Sequence, residues 1–189
     1  MPDCNSARVV SFDDEPLILV DHDDTILGYK PKIDCHLGAG TLHRAFSIFL
    51  FNSAGDVLLQ QRSAQKQLWP NYWSNSCCSH PRRGETVDQA AVRRLHEELA
   101  ITTPLTFLYR FEYQAQFGTV GAEHELCSVY AAHSDSPVRV NANEVAEWAF
   151  MPAATLDREL DINADAYTPW LKLEWPRIRT EHWQQIKFA

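Results

Sequence analysis

Between Thr86 and Leu99 the apolar residues Val87, Ala91, Leu95 and Leu99 recur at every fourth position. That spacing gives a helix with one apolar face. The segments on both sides of it follow a different pattern. His43 to Phe51 is rich in aromatic and β-branched residues and reads as a buried strand. Val57 to Gln61 is its returning partner across the turn Asn52-Ser53-Ala54-Gly55-Asp56. Downstream, aromatics at 107, 109, 111 and 113 alternate as on a strand with one apolar face. A one-faced helix among strands buries its stripe against a sheet, so the fold class is α+β, with mixed or antiparallel β-sheets packed with helices. Thr86 followed by Gln89 is a capping box that starts the helix.

The remaining elements fit around this frame. Leu17 to Val20 and Thr25 to Tyr29 read as a hairpin, and Lys30-Pro31-Lys32 opens a loop. Arg62 to Asn71, with Trp69-Pro70, is a loop, and Tyr72 to Ser76 is a short strand. Cys78 and His80 lie in a loop bounded by Gly and Pro. Glu123 to Ala132 and Val145 to Met151 are further strands. Pro152 to Leu160 is a short helix and Trp170 to Lys187 a final one. Residues 1–16 are polar and acidic, a loose leader, and 17–189 form a single domain with a C-terminal helix. A chain of 189 residues suffices for one sizeable core.

Charge and cysteine content narrow the partners. A net charge of −8 goes against nucleic acid and against an anionic membrane surface. No apolar run approaches the length of a membrane span. The odd count of 5 cysteines, with Cys77 and Cys78 adjacent, fits a reducing compartment better than a disulfide framework. With no basic and apolar leader segment, the expected localisation is cytoplasmic. Oligomeric state leaves no mark in the sequence.

Four groups of residues carry chemistry. His36, His43, His80, Glu123 and Glu125 are a ligand set suited to a divalent ion such as zinc, manganese or iron, and the strand period of two puts both carboxylates on one face. The competing reading is ordinary surface and core residues in unrelated places. Cys78, two residues before His80, is either a catalytic thiol or a small buried apolar residue. Glu97 and Glu98 close the helix, either as partners of Arg93 and Arg94 four residues earlier or as Mg²⁺ ligands facing a phosphate. Lys32, Arg62, Lys66, Arg82, Arg83 and Arg94 form a diphosphate pocket only if several of them converge.

From Ser79 to Ile101 the chain resembles a degenerate Nudix box. It matches at Glu85, Arg93, Leu95, Glu97 and Glu98, and departs with Ser79 for the first Gly, Arg94 for the middle Glu and Ala100 for the last Gly. From Leu17 to Trp175 it is similar to the type I isopentenyl diphosphate isomerases, which are Nudix-fold enzymes. The text that carries this is Trp69-Pro-Asn-Tyr-Trp73-Ser-Asn-Ser-Cys-Cys78-Ser-His80-Pro, with His36 and His43, Glu123-His-Glu125 and Thr168-Pro-Trp170. The resemblance implies a single Nudix-like α/β/α sandwich that isomerises isopentenyl to dimethylallyl diphosphate in isoprenoid biosynthesis. It implies that His36, His43, His80, Glu123 and Glu125 bind a divalent metal (Zn, Mn or Mg). Cys78 and Glu125 would be the proton carriers, with Tyr113 assisting Glu125. Glu98 would hold the Mg²⁺ that accompanies the diphosphate, and Lys32, Arg62, Lys66 and Arg94 would contact the phosphates. Trp175 would shield a carbocation. The alternatives are a Nudix pyrophosphohydrolase and a non-catalytic metal-binding Nudix module.

The adjacent thiols give a direct test. Cys78→Ala is expected to abolish isomerisation and Cys77→Ala to largely spare it, as read by product formation. Equal loss from both would mean that the wrong thiol has been chosen.

Overall fold

The computed structural model describes residues 8–186. Among these, the frame is β3 (His43–Phe51), whose side chains alternate between two apolar layers. Ahead of it lie the antiparallel hairpin β1 (Pro16–Val20) and β2 (Ile26–Pro31) and the one-turn α1 (Lys32–Cys35). After it come β4 (Asp56–Arg62), β5 (Trp73–Ser74), β6 (Cys77–Ser79) and α2 (Val87–Leu99). The chain then forms β7 (Leu105–Phe117), β8 (Gly121–His133), β9 (Val145–Pro152), α3 (Ala153–Ile162) and α4 (Pro169–Arg177).

The sheet is mixed, as the sequence predicts. β8 runs parallel to β3 along its whole length, from His43 opposite Glu125 to Phe51 opposite His133. On the other edge of β3, β6 pairs antiparallel, with Ser47 opposite Cys78 and Ile48 opposite Cys77. β7 and β8 form an antiparallel hairpin, and β9 pairs antiparallel with β4.

Helices cover both faces. Phe46, Ile48 and Leu50 of β3 pack under α2 against Ala90, Ala91, Leu95 and Leu99. Ala45, Phe49 and Phe51 pack on the opposite face against Trp170, Leu171 and Trp175 of α4. Each large side chain so buried contributes about 2 kcal/mol. This is the expected α/β/α sandwich in a single domain. The capping box forms: Thr86 Oγ1 accepts from the Gln89 amide at 3.2 Å, and Gln89 Oε1 accepts from the Thr86 amide at 3.0 Å. Among the described residues, no helix is long and apolar enough to cross a membrane.

Four expectations are corrected. Residues 77–79 are a strand, because pairing with β3 orders a run too short to show a period of its own. Lys32 opens a helical turn instead of a loop. The expected helix from Trp170 to Lys187 is interrupted: α4 contains Pro176, which cannot donate to the helical ladder, and Ile178–His182 widens into a π-helical turn. Lys187 lies outside the described residues.

The leader is the fourth. Residues 1–7 lie outside the described residues; of 8–15 five stay exposed, but the segment is tied down at particular residues. Val10 is 2% exposed, and its carbonyl accepts from Arg94 Nη1 at 2.9 Å and Arg82 Nη2 at 3.2 Å. The Arg8 carbonyl accepts from Asn141 Nδ2 at 2.8 Å. A polar segment without periodicity is ordered here because it supplies acceptors to side chains that need them.

α2 ends on Ala100 in the left-handed region (φ 56°), with its amide bonded to the His96 carbonyl at 2.9 Å. A Cβ is disfavoured there, and glycine is the usual residue. Ala100→Gly is therefore expected to stabilise the fold by about 1 kcal/mol, read as a higher midpoint in urea. A lower midpoint would contradict this.

Candidate functional site

Three histidines converge at one end of the β3–β8 seam. His36 follows α1, His43 begins β3 and His80 follows β6. Their ring centroids are 5.1, 5.7 and 4.8 Å apart. The parallel register of β3 and β8 brings Glu123 and Glu125 beside them. His36 Nε2 lies 2.8 Å from Glu123 Oε2, and His80 Nε2 and His43 Nε2 lie 3.0 and 3.8 Å from Glu125 Oε1. All five side chains are buried.

Donor and acceptor counting shows what this cluster needs. His36 Nδ1 is 2.7 Å from the Lys32 carbonyl, and His43 Nδ1 is 2.7 Å from the Thr41 carbonyl. A carbonyl only accepts, so each Nδ1 carries the hydrogen and each Nε2 of the neutral ring presents a lone pair. His36 Nε2, His43 Nε2 and Glu123 Oε2 have no hydrogen-bond partner. Lone pairs of imidazole and carboxylate therefore face each other at short range, which requires either a second proton on the ring or a cation. Rings oriented by Nδ1–H bonds to backbone carbonyls are the arrangement that metal-ligating histidines adopt. Ligand atoms of His36, His43, His80 and Glu123 lie within 4.8 Å of one another. The residues fit a divalent ion.

The electrostatics agree. Burial, then the neighbouring His80, drives His43 down to about 3, and burial, then His36, drives His80 well below its ordinary value, so both rings are neutral. Burial alone would lower His36, but the Glu123 carboxylate outweighs it and raises the ring. Burial and the nearby Glu123 push Glu125 up. Gly121 admits the chain here: a Cβ on it would stand 2.3 Å from the His36 carbonyl oxygen, which accepts from the Ala122 amide at 2.9 Å.

A cavity of about 390 Å³ opens beside the cluster. Cys78, Tyr113, Glu123, Glu125 and Trp170 line it, together with Lys32, Arg62, Lys66 and Arg94. Of the six bases named from sequence, the four that the resemblance assigns to the phosphates thus converge, and Arg82 and Arg83 lie elsewhere. Glu144, which carried no signal in the sequence, anchors them: it pairs with Lys66 and lies 3.1 Å from Arg94 Nη2. Lys32 Nζ donates to Ser11 Oγ at 2.6 Å, and burial, then the charge of Lys66, lowers it to about 8. Arg62 donates to the carbonyls of Leu68 and Trp69 and stands over the Trp170 ring at 5.1 Å. Val9, Ser11 and Asp13 of the N-terminal segment also line the cavity.

The two adjacent thiols part. Cys77 is 0% exposed, on the α2 side. Cys78 faces the other way, with Sγ donating to Asn75 Oδ1 at 2.8 Å and 3.5 Å from Ser47 Oγ. Burial pushes the Cys78 thiol far up, so it holds its proton. Tyr113 donates to Glu125 Oε2 at 2.7 Å.

Two placements differ from expectation. Trp175 is no part of the cavity: it is 1% exposed, stacked on Phe49 and Phe51, with Nε1 donating to Asp157 at 2.7 Å. Trp170 occupies the position expected of it, and its Nε1 donates to Ser74 Oγ at 2.9 Å and Asn75 Oδ1 at 3.1 Å. Glu98 is buried behind Arg94, which donates to it from Nε at 3.1 Å and Nη2 at 2.6 Å. Glu97 takes Arg93 Nη1 at 2.9 Å, the ion pair that the spacing allows.

Residues 41–171 match the model of the NUDIX domain. Two solved structures share the fold: a Deinococcus radiodurans protein (TM-score 0.72, 24% identity, 86% of this chain and 98% of its own) and a MutT protein of Methanosarcina mazei (TM-score 0.62, 14% identity, 74% and 94%). The class is thus a Nudix-fold protein with a histidine–carboxylate centre. Curated relatives are more specific. Isopentenyl-diphosphate Delta-isomerase 1 of Photorhabdus laumondii is 42% identical over 174 residues, 91% of this chain and 99% of its own. The isopentenyl-diphosphate Delta-isomerases of Pectobacterium atrosepticum and Paenarthrobacter aurescens are 36% and 38% identical, covering 90% and 87% of this chain and 94% and 90% of theirs. The chain belongs to the isopentenyl-diphosphate Delta-isomerase family.

Protons and the metal compete for the same lone pairs. Divalent-ion affinity is expected to fall as pH drops through the imidazole range, with His36 protonating first because Glu123 raises it. Competition with a chelator across pH reads this directly. Affinity independent of pH, or unaffected by His36→Ala, would contradict the ligand set.

Proposed function

We infer that the protein interconverts isopentenyl diphosphate and dimethylallyl diphosphate, moving a carbon–carbon double bond by one protonation and one deprotonation. One observation carries this reading: a protonated thiol, Cys78, and a buried carboxyl, Glu125, open on the same cavity, together with a converging set of bases. Isomerisation of an unactivated alkene needs two proton carriers and no nucleophile from water.

The residues divide the work. Lys32, Arg62, Lys66 and Arg94 hold the diphosphate, whose binding energy positions the reacting carbons. Cys78 Sγ and a Glu125 oxygen exchange protons with the two ends of the allylic system, from strands on either side of β3. Tyr113 keeps one Glu125 oxygen engaged and the carboxyl oriented. The Trp170 ring, in place of Trp175, faces the cationic carbon and stabilises it through its quadrupole. His36, His43, His80, Glu123 and Glu125 hold a divalent ion, zinc, manganese or magnesium. Bound there, the ion supplies positive charge that tunes the acidity of Glu125 and its neighbours. Glu98 is the carboxylate assigned to the Mg²⁺ that accompanies the diphosphate, and it would reach that ion by sharing its bond with Arg94. The described cysteines Cys35, Cys77, Cys78 and Cys127 are all free, which supports a reducing, cytoplasmic setting.

A pyrophosphohydrolase is the second reading, favoured by the Nudix domain itself. Against it stands Arg94, whose guanidinium occupies the Glu98 carboxylate where the hydrolase pattern places another glutamate.

Incubation with isopentenyl diphosphate and Mg²⁺, following dimethylallyl diphosphate and phosphate together, separates the readings. Isomerisation without phosphate release is expected, and phosphate release without isomerisation would refute the assignment. In the same assay Trp170→Ala removes ~2 kcal/mol of cation stabilisation, about thirtyfold in kcat. Both indoles are buried, so Trp170→Ala and Trp175→Ala each cost about 3–5 kcal/mol of folding stability, and only Trp170→Ala lowers kcat of the folded enzyme. The reverse pattern would restore Trp175 to the site.

A further inference from the structure

α4 carries an ionisable side chain that the reaction above does not use. Glu174 is 0% exposed, and its Oε2 has no hydrogen-bond partner. Its Oε1 accepts from the Cys127 thiol at 3.6 Å. The Ser47 hydroxyl lies 3.5 Å from the Cys127 sulfur and 3.5 Å from the Cys78 sulfur. Cys127 and Ser47 therefore stand in series between a buried carboxyl and the thiol that faces the cavity.

The surroundings decide the state of that carboxyl. Facing it are Ser47 from β3, Cys127 and, farther off, Glu125 from β8, and Cys78 from β6. From β7, the Tyr109 hydroxyl bonds the Glu174 main-chain carbonyl at 3.3 Å. None of these is a cation, and among the described residues Glu174 has no ion-pair partner. An unpaired carboxylate in an apolar wall is costly, and a proton removes the charge. Burial, with the Glu125 charge adding to it, pushes the Glu174 carboxyl up to about 8.

We propose that Glu174, carrying its proton, is a positioning residue for Cys78 and acts on it through Cys127 and Ser47. This rests on the reading of Cys78 as a proton carrier. A protonated carboxyl donates its O–H to the Cys127 sulfur, Cys127 turns its hydrogen to Ser47 Oγ, and Ser47 turns its own to the Cys78 sulfur. The thiol hydrogen then keeps its one acceptor, Asn75 Oδ1 at 2.8 Å. An ionised Glu174 can only accept. Cys127 then turns its hydrogen to the carboxylate and Ser47 turns its own to the Cys127 sulfur, so the Cys78 sulfur loses that donor, and a negative charge stands behind it. No proton leaves Glu174 in the reaction; it sets the direction of the hydrogen bonds.

The pH dependence of kcat for the metal-loaded, full-length enzyme tests this. The wild type is expected to lose kcat as pH rises through about 8. Glu174→Leu, which has no donor, lowers kcat at neutral pH about tenfold with KM unchanged, and Glu174→Gln recovers most of that loss. Neither variant shows the alkaline decline. In a Ser47→Ala background, Glu174→Leu causes no further loss. An alkaline decline that persists in Glu174→Gln, or additive losses in the double variant, would overturn the proposal. A second readout needs no turnover. The infrared C=O stretch of a protonated carboxyl is expected at neutral pH and absent in Glu174→Gln; no difference between the two spectra means an ionised Glu174 and also overturns it. Should Cys78→Ala retain isomerisation, the reading of Cys78 falls separately, whatever that band shows.

Discussion

Buried lone pairs of His36 and Glu123, 2.8 Å apart, set the terms for the rest of the molecule. Carbonyl acceptors hold the Nδ1 hydrogens of His36 and His43, so those two rings cannot relieve the contact by changing tautomer. A cation held by His36, His43, His80 and Glu123 would resolve the repulsion. Glu125 would then stand next to positive charge at the wall of the cavity. A carboxyl in that setting can hand a proton to carbon or take one from it.

β3 makes this convergence possible. Its parallel pairing with β8 sets His43 opposite Glu125, and its antiparallel pairing with β6 sets Ser47 opposite Cys78. One strand thus fixes the histidine–carboxylate cluster at its start and the thiol four residues later, on the same face. The opposite face belongs to α2, whose Arg94 also lines the cavity. That guanidinium is held by Glu98, Glu144 and the Val10 carbonyl. A buried arginine with so many acceptors stays charged and fixed in place, which suits it to a diphosphate.

Much of the fold was legible because its signals are local. The capping box, the stripe on α2, the strand from His43 to Phe51 and the period of two through Glu123 and Glu125 depend on neighbours in sequence. What failed depended on distant pairing. Cys77–Ser79 becomes a strand only because β3 lies beside it, and residues 8–15 are ordered by arginines far along the chain. The choice between Trp170 and Trp175 shows the limit for the site. Five helical residues turn the side chain by about 140°, so only one indole can face the cavity. Which one does so depends on how α4 is rotated against the sheet. Glu144 and Glu174 offered no pattern at all, since their importance comes from burial.

Anomalous diffraction from crystals grown with zinc or manganese tests the metal centre directly. A single peak is expected, roughly 2.0–2.2 Å from the Nε2 atoms of His36, His43 and His80 and in contact with Glu123 or Glu125. Crystals without a peak there, showing instead doubly protonated histidines bonded to the two carboxylates, would contradict the account.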